Sequence, residues 1–365
     1  MASSPTHDPS TSLHAGTSLS STSKTPAPPT DNAAPLNPAS PTLAERARGA
    51  IYGVCCCDAL GAPVMTDFTA DKTKHKPITL AENYRPVTLF NAPPGSFTDD
   101  GSMTLALATS FIADNGKYSR STVIENFKAW YFDGKYSSLD YAFDIGGSTS
   151  TAMRTWGERV DASDQTQEKV DEALNIERCS GNGSLMRCVP VGLVMHTRPL
   201  KEAQRVAREQ SDLTHPYSRC ADACSLYTAL VVGVMKGKSK QELFDFISDF
   251  DISDRCLRKN IAKYTTIASW ATNYPGLNHY GYCGGEVATT LETALFGFFT
   301  TDNFADGALK VVNSGGDTDT AGAVYGGLAG AFYGYDAIPD HWVKGLQRSD
   351  LIKDVASKLG KLAEM

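Results

Sequence analysis

The sequence predicts an all-α protein, and three observations carry that expectation. From Pro41 onward apolar residues recur at helical spacing almost without a break. Alternating runs of the β type are scarce, too few to build a parallel sheet or a sandwich. No self-similar repeat with a period of about 20 to 50 residues appears, which argues against a solenoid and for a compact, irregular helical bundle.

Taken in order, the periodic segments lie at 43–60, 100–114, 120–132, 148–158, 183–195, 200–211, 217–236, 240–248, 254–272, 284–299, 303–313, 319–334 and 348–363, with turn residues between them. Residues 1–41 differ from all of these. They are mostly Ser, Thr, Pro and Ala, with Asp8, Lys24 and Asp31 as the only charged side chains, and are expected to form a disordered low-complexity tail. Residues 42–365 are expected to form one domain. The stretch from Asp67 to Gly95, rich in Pro, Lys and Thr, is long for a connection and reads either as a loop beside a site or as a surface excursion.

Charge and composition exclude several functions. A net charge of −7 and a pI near 5.5 oppose binding to a phosphate backbone, so no direct nucleic-acid partner is expected. The amino terminus lacks the basic start and apolar core of a secretory signal, and residues 1–41 contain no Arg for a mitochondrial presequence. The run from Ala321 to Tyr335 is shorter than the roughly 20 residues that cross a bilayer. A soluble, cytoplasmic protein with no membrane partner is expected. Nine cysteines, three of them consecutive at Cys55, Cys56 and Cys57, suit reduced buried thiols better than a disulfide framework. Cys220 and Cys224 near His215 make only half of a zinc site.

Two acidic clusters carry the chemistry. Thr98, Asp99 and Asp100 open the segment at 100–114, where they could cap a helix, although two adjacent aspartates exceed what a cap needs. Asp317, Asp319 and Thr320 follow Gly315 and Gly316 and open the segment at 319–334. Hard cations such as magnesium take about six oxygens, which two such clusters with water and substrate hydroxyls could supply. Gly322, Gly326 and Gly330 clear one face of that last helix for close packing. A third element, Ser180-Gly181-Asn182-Gly183, is a glycine-rich loop whose amides could hold a phosphate or a ribose. His215 stands at a helix boundary set by Pro216, a position more usual for packing than for catalysis.

Together these stretches resemble the ADP-ribosylglycohydrolase family. The matching pieces are Gly49–Gly53 with Asp58–Pro63, Phe97–Asp100, Asp144–Gly146, Gly181–Gly183 with Met186 and Arg187, Thr214–His215, Gly315–Thr320, and Leu328–Gly334 through Ile338–Pro339. The resemblance implies a compact orthogonal helical fold with two metal ions, magnesium or in some members manganese. It implies Thr98, Asp99, Asp100, Asp317, Asp319 and Thr320 as metal ligands. Ser180, Gly181, Asn182, Gly183 and His215 would line the ADP-ribose cleft, with Asp144 near the distal ribose, and Asp100, Asp144 and Asp319 are the candidate catalytic residues. The implied substrate is an ADP-ribosylated protein or a small ADP-ribose conjugate.

The chain departs from the family pattern in two places. Cys57 replaces the first Gly of a Gly-Asp-Ala-Leu-Gly-Ala-Pro pattern, and Met65 stands where many members have a Glu tied to catalysis in the serine-linked branch. Arginine-linked ADP-ribose is therefore the expected substrate, with serine- or O-acetyl-linked forms as alternatives. Cleavage at C1 of the distal ribose passes through an oxocarbenium-like state. Two ions would hold the ribose hydroxyls and polarise a water. With four aspartates spent on metal, Asp144 or that water is the expected acid or base. The rival expectations are a non-catalytic ADP-ribose reader and a magnesium-dependent hydrolase of phosphate esters or pyrophosphates.

Overall fold

Several helices start where the chain offers a side-chain acceptor. Ser119, Ser163, Asp254 and Asn303 each accept from a backbone amide of the first turn, and Ser239 with Glu242 closes a capping box. The computed structural model describes residues 40–70, 80–157, 162–279 and 281–365; the tail at 1–39 lies outside the described residues, as does part of the 67–95 stretch.

Sixteen α-helices follow one another among the described residues: α1 (Leu43–Ala70), α2 (Asp99–Ala113), α3 (Arg120–Asp133), α4 (Gly147–Trp156), α5 (Asp164–Leu174), α6 (Val189–Met195), α7 (Leu200–Asp212), α8 (Ser218–Met235), α9 (Lys240–Ser248), α10 (Arg255–Ala262), α11 (Ile267–Asn273), α12 (Val287–Phe299), α13 (Phe304–Val312), α14 (Thr318–Tyr333), α15 (Asp340–Gly345) and α16 (Ser349–Ala363). Only isolated bridges, and no strands, occur among the described residues. The fold is all-α, and Pro41–Met365 fold as one unit.

Several expected boundaries shift. α1 runs through Pro63 to Ala70 instead of ending at 60, and Val64 and Thr66, beyond the proline, are still buried. The segment at 254–272 is two helices, α10 and α11, the second started by a Thr266 capping box. Residues 183–187 form turns, so α6 begins only at Val189, with Pro190 in its first turn. α5 and α15 escaped the periodicity because each buries few apolar side chains, Val170 and Leu174 in one and Trp342 in the other.

α1 and α14 form the centre of the core. A Cβ at Gly326 would stand 2.1 Å from the Gly53 carbonyl oxygen, and one at Gly330 would stand 2.1 Å from that of Gly49. The two backbones therefore touch, and any side chain at these points would force them apart. This contact places Asp58 and Met65 of α1 alongside the start of α14. The most apolar long window also belongs to α1, not to the run at Ala321–Tyr335: Leu43–Asp67 is long and apolar enough to cross a membrane, but 94% of its most apolar window is buried inside the fold. All nine cysteines are free thiols, and Cys55, Cys56 and Cys57 are fully buried.

Candidate active site

The two acidic helix starts are relieved of capping by other groups. Thr98 occupies the N-cap position of α2 without a side-chain cap bond. Asp58, reaching across from α1, does that work: its carboxylate accepts from the Thr98 amide at 2.9 Å and the Gly101 amide at 2.8 Å, and from the Thr98 hydroxyl at 3.0 Å. Asp99 and Asp100 are thereby left free for another purpose. At α14, Asp317 makes no cap bond either. Its Oδ2 accepts from Asn182 Nδ2 at 2.7 Å, and Asp319 Oδ1 accepts from the Thr320 amide at 2.9 Å.

These starts meet at a cleft of about 290 Å³. Asp99, Asp144, Asp317, Asp319 and Thr320 line it together with Gly181, Asn182, Gly183 and His215. Met65 also faces it, as do Ser148 and Thr149 from the first turn of α4. Three expected residues stand behind the lining. Thr98 is fully buried between Asp58 and Asp100, bonding Asp100 Oδ2 at 2.9 Å. Asp100 is 1% exposed, and Ser180 Oγ accepts from Arg219 Nη1 at 3.3 Å. No described residue of the stretch after α1, 80–95, lines the cleft, and Asp67 is ion-paired with Arg85 at 2.9 Å.

The glycine-rich loop is held from two directions. The Asn182 amide donates to the Gly285 carbonyl at 3.1 Å, while both hydrogens of its Nδ2 are taken, by Asp317 and by Thr290 Oγ1 at 2.9 Å. Asn182 thus ties the loop to α12 and α14. Gly183 needs its missing side chain, since a Cβ would lie 2.8 Å from His215 Cε1.

Thr214 Oγ1 accepts from Arg187 Nη2 at 2.8 Å and pairs with His215 Nδ1, also at 2.8 Å, which fixes the ring with its Nε2 beside the glycine loop. Burial, aided by the Arg187 guanidinium, lowers the His215 pKa to about 3, so the ring is neutral throughout the physiological range. Arg187 itself is fully buried, with its charge satisfied by Gln210, Thr214 and the Gly183 carbonyl.

Electrostatics mark the acid cluster as unusual. Burial, reinforced by neighbouring carboxylates, pushes Asp99, Asp100 and Asp319 well above the ordinary carboxylate range. Burial raises Asp58 to about 7 and Asp144 to about 6. The ion pairs among the described residues lie elsewhere, so no Lys or Arg neutralises the cluster. Asp100 Oδ1 and Asp144 Oδ2 are buried without a hydrogen-bond partner. Such groups are costly unless a proton or cation joins them. Among the described residues, no three His, Cys, Asp or Glu side chains form a metal-ligand array.

Sequence reasoning missed Asp58, the α4 start at Ser148 and Thr149, and the loop at 281–286. Asp58 had a signal, a single charge inside the apolar run from Val54 to Val64. Gly284, Gly285 and Glu286 also had one, as a second glycine pair ahead of a helix. Nothing local distinguished Ser148.

The profile of the ADP-ribosylglycohydrolase family matches residues 39–365. The ADP-ribosylarginine hydrolase Tri1 of Pseudomonas putida (strain GB-1) is 27% identical over 86% of this chain and 78% of its own length. The ADP-ribosyl-[dinitrogen reductase] glycohydrolase of Rhodospirillum rubrum is 27% identical over 84% and 92%. A solved structure described as an ADP-ribosylglycohydrolase-related protein complex superposes with a TM-score of 0.67 at 25% identity, covering 88% of this chain and 99% of that one.

Proposed function

Because this chain belongs to the ADP-ribosylglycohydrolase family, we propose that it hydrolyses the bond between ADP-ribose and an arginine side chain of a modified protein, with two divalent cations, magnesium or manganese, in its cleft. The observation that carries this reading is the cluster of buried and half-buried aspartates from α2, α14 and the Asp144 turn, which has no basic counter-charge among the described residues and two carboxylate oxygens without a partner. Hydrolase activity on ADP-ribose conjugates is the property of the relatives; arginine as the acceptor and the cations are the proposal.

Asp99, Asp100, Asp317, Asp319, Thr98 and Thr320 would hold the cations. The ions would supply positive charge that orients the ribose hydroxyls and polarises the attacking water. The protein's own groups do the rest. α4 opens on the cleft with no side chain capping its first amides, and Gly146 and Gly147 leave open space where a Cβ would stand, which suits a diphosphate. His215 presents a neutral ring with its Nε2 beside the glycine loop. Asp144, held at φ 57° with Oδ2 unpartnered, holds or moves a proton at the leaving nitrogen. The C1–N bond breaks, the water oxygen bonds to C1, and the water's proton passes to the guanidine.

Met65 gives the linkage preference. An apolar thioether lines the cleft where many relatives carry a carboxylate, and a serine alkoxide depends more than a guanidine does on a positioned acid. The expected kcat/KM for ADP-ribosyl-arginine exceeds that for ADP-ribosyl-serine by roughly a hundredfold, the lower end of what a positioned acid contributes. Met65→Glu is expected to narrow that gap. Competition kinetics with both conjugates at saturating magnesium measure it, and faster serine-linked cleavage by the unmodified protein would overturn the arginine assignment.

The lack of a ready ligand array favours one other reading, an ADP-ribose reader that binds without turnover. Stoichiometric binding with no release of ADP-ribose would identify it.

A further inference from the structure

Glu292 is the one charged residue of α12 and is fully buried in the middle of an otherwise apolar helix. A carboxylate in that setting is retained only with several donors. It has three. Oε1 accepts from Lys263 Nζ at 2.5 Å and from the Tyr264 hydroxyl, both just past the end of α10, while Oε2 accepts from the Tyr282 hydroxyl at 3.0 Å.

Tyr282 belongs to the loop that joins the two glycine-rich segments of the cleft. One residue on, the Cys283 carbonyl accepts from the Asp317 amide at 2.7 Å, and Gly316 must be glycine there because a Cβ would meet that same oxygen at 1.9 Å. One residue before, the Gly281 amide donates to the Ser314 carbonyl at 3.0 Å. Further along, the Gly285 carbonyl accepts from the Asn182 amide. The loop therefore grips the backbone before Asp317 on both sides and the Asn182 turn as well. Within the loop itself, the Tyr282 hydroxyl ties back to Glu292 of α12, beside a weaker contact from Cys283 Sγ to Thr290 Oγ1 at 3.7 Å.

We propose that Glu292 is a positioning residue for the cleft, acting through the Tyr282 hydroxyl to hold the 281–285 loop and, through the Cys283 carbonyl, the backbone of Asp317. The effect on turnover rests on the proposed hydrolase reading; the effect on the backbone does not. The Tyr264 hydroxyl holds Glu292 from just past the end of α10, whereas Lys263 also stands over the Tyr282 ring at 5.9 Å, so Tyr264 is the contact that separates stabilising from positioning.

Three variants of the full chain separate these roles. Tyr282→Phe removes one hydroxyl and keeps the ring against Tyr274. It is expected to speed amide hydrogen exchange at Asp317 and Asn182 at least about tenfold, with the interior of α14 unchanged, since losing the tie frees local opening without global unfolding. Its kcat on ADP-ribosyl-arginine is expected to fall roughly tenfold with little change in KM, within the about hundredfold that a misplacement of 1 Å can cost. Glu292→Gln is expected to reproduce both effects, and Tyr264→Phe to lower the melting temperature while leaving Asp317 exchange and kcat as in the unmodified chain. Unchanged exchange at Asp317 in Tyr282→Phe overturns the proposal whatever the activity. Equal loss of kcat in Tyr264→Phe overturns it too, by showing a general loss of structure. An unmodified chain that turns over no conjugate would count against the hydrolase reading alone, with the exchange measurement still deciding the role of Glu292.

Discussion

Asp317→Ala and Asp100→Ala are each expected to lower the release of ADP-ribose roughly a thousandfold or more, beyond the about 10- to 100-fold typical of groups that only support metal ligands. Helical circular dichroism should stay at the level of the unmodified protein. The physical reason is that neither side chain is needed by the fold. Asp100 keeps only the Thr98 hydroxyl as partner, and that hydroxyl has Asp58 as a second acceptor. Asp317 Oδ2 takes one hydrogen of Asn182 Nδ2, whose other hydrogen goes to Thr290. Removing either acid also thins a crowd of carboxyl groups that has no basic counter-charge among the described residues, so in EDTA neither variant should melt below the unmodified chain. Near-normal turnover in either variant would remove the two-cation account, and a collapse of the helical signal would show that the acids serve the fold.

The metal-free protein should lose several degrees of melting temperature as the pH rises from about 5 to 8, and magnesium should restore them. The carboxyls of Asp58 and Asp144 are raised to about 7 and about 6 in the folded state, against an ordinary value near 4, and Asp99, Asp100 and Asp319 are raised as well. Between pH 4 and 7 the folded chain thus binds more protons than the unfolded one. Stability then falls with increasing pH through that window, and little of the penalty remains below it. A cation replaces the protons, so the gain from magnesium should be large at pH 8 and small at pH 5. Thermal melts at fixed ionic strength in EDTA and in magnesium measure both slopes. A flat pH response in EDTA together with no magnesium effect would contradict the assignment of the cluster as a cation site.

How far the sequence could be read depended on whether the deciding interaction was local. The helices of the core were legible because burial imposes a 3.6-residue period, and the α14 glycines announced close packing, although their partners Gly49 and Gly53 on α1 were visible only in the fold. The acidic helix starts were legible because paired aspartates exceed what a cap requires. What the sequence could not reveal is that Asp58, 40 residues before Thr98, performs the capping. Likewise, Ser180 looked like a cleft residue by its place in the loop, but Arg219 turns its hydroxyl away. The α4 start and the loop at 281–286 reach the cleft through tertiary packing alone. α5 was invisible because its helix is mostly polar and buries little besides Val170 and Leu174, so the usual stripe is too narrow to detect.

The most direct test of the central claim is to identify by mass spectrometry the small product that the purified full chain releases from an arginine-ADP-ribosylated protein, in magnesium and again in EDTA. The account predicts free ADP-ribose and unmodified arginine in magnesium, and no product in EDTA. Release of AMP, leaving phosphoribosyl-arginine on the protein, would contradict it, and so would tight binding of ADP-ribose with nothing released in either condition.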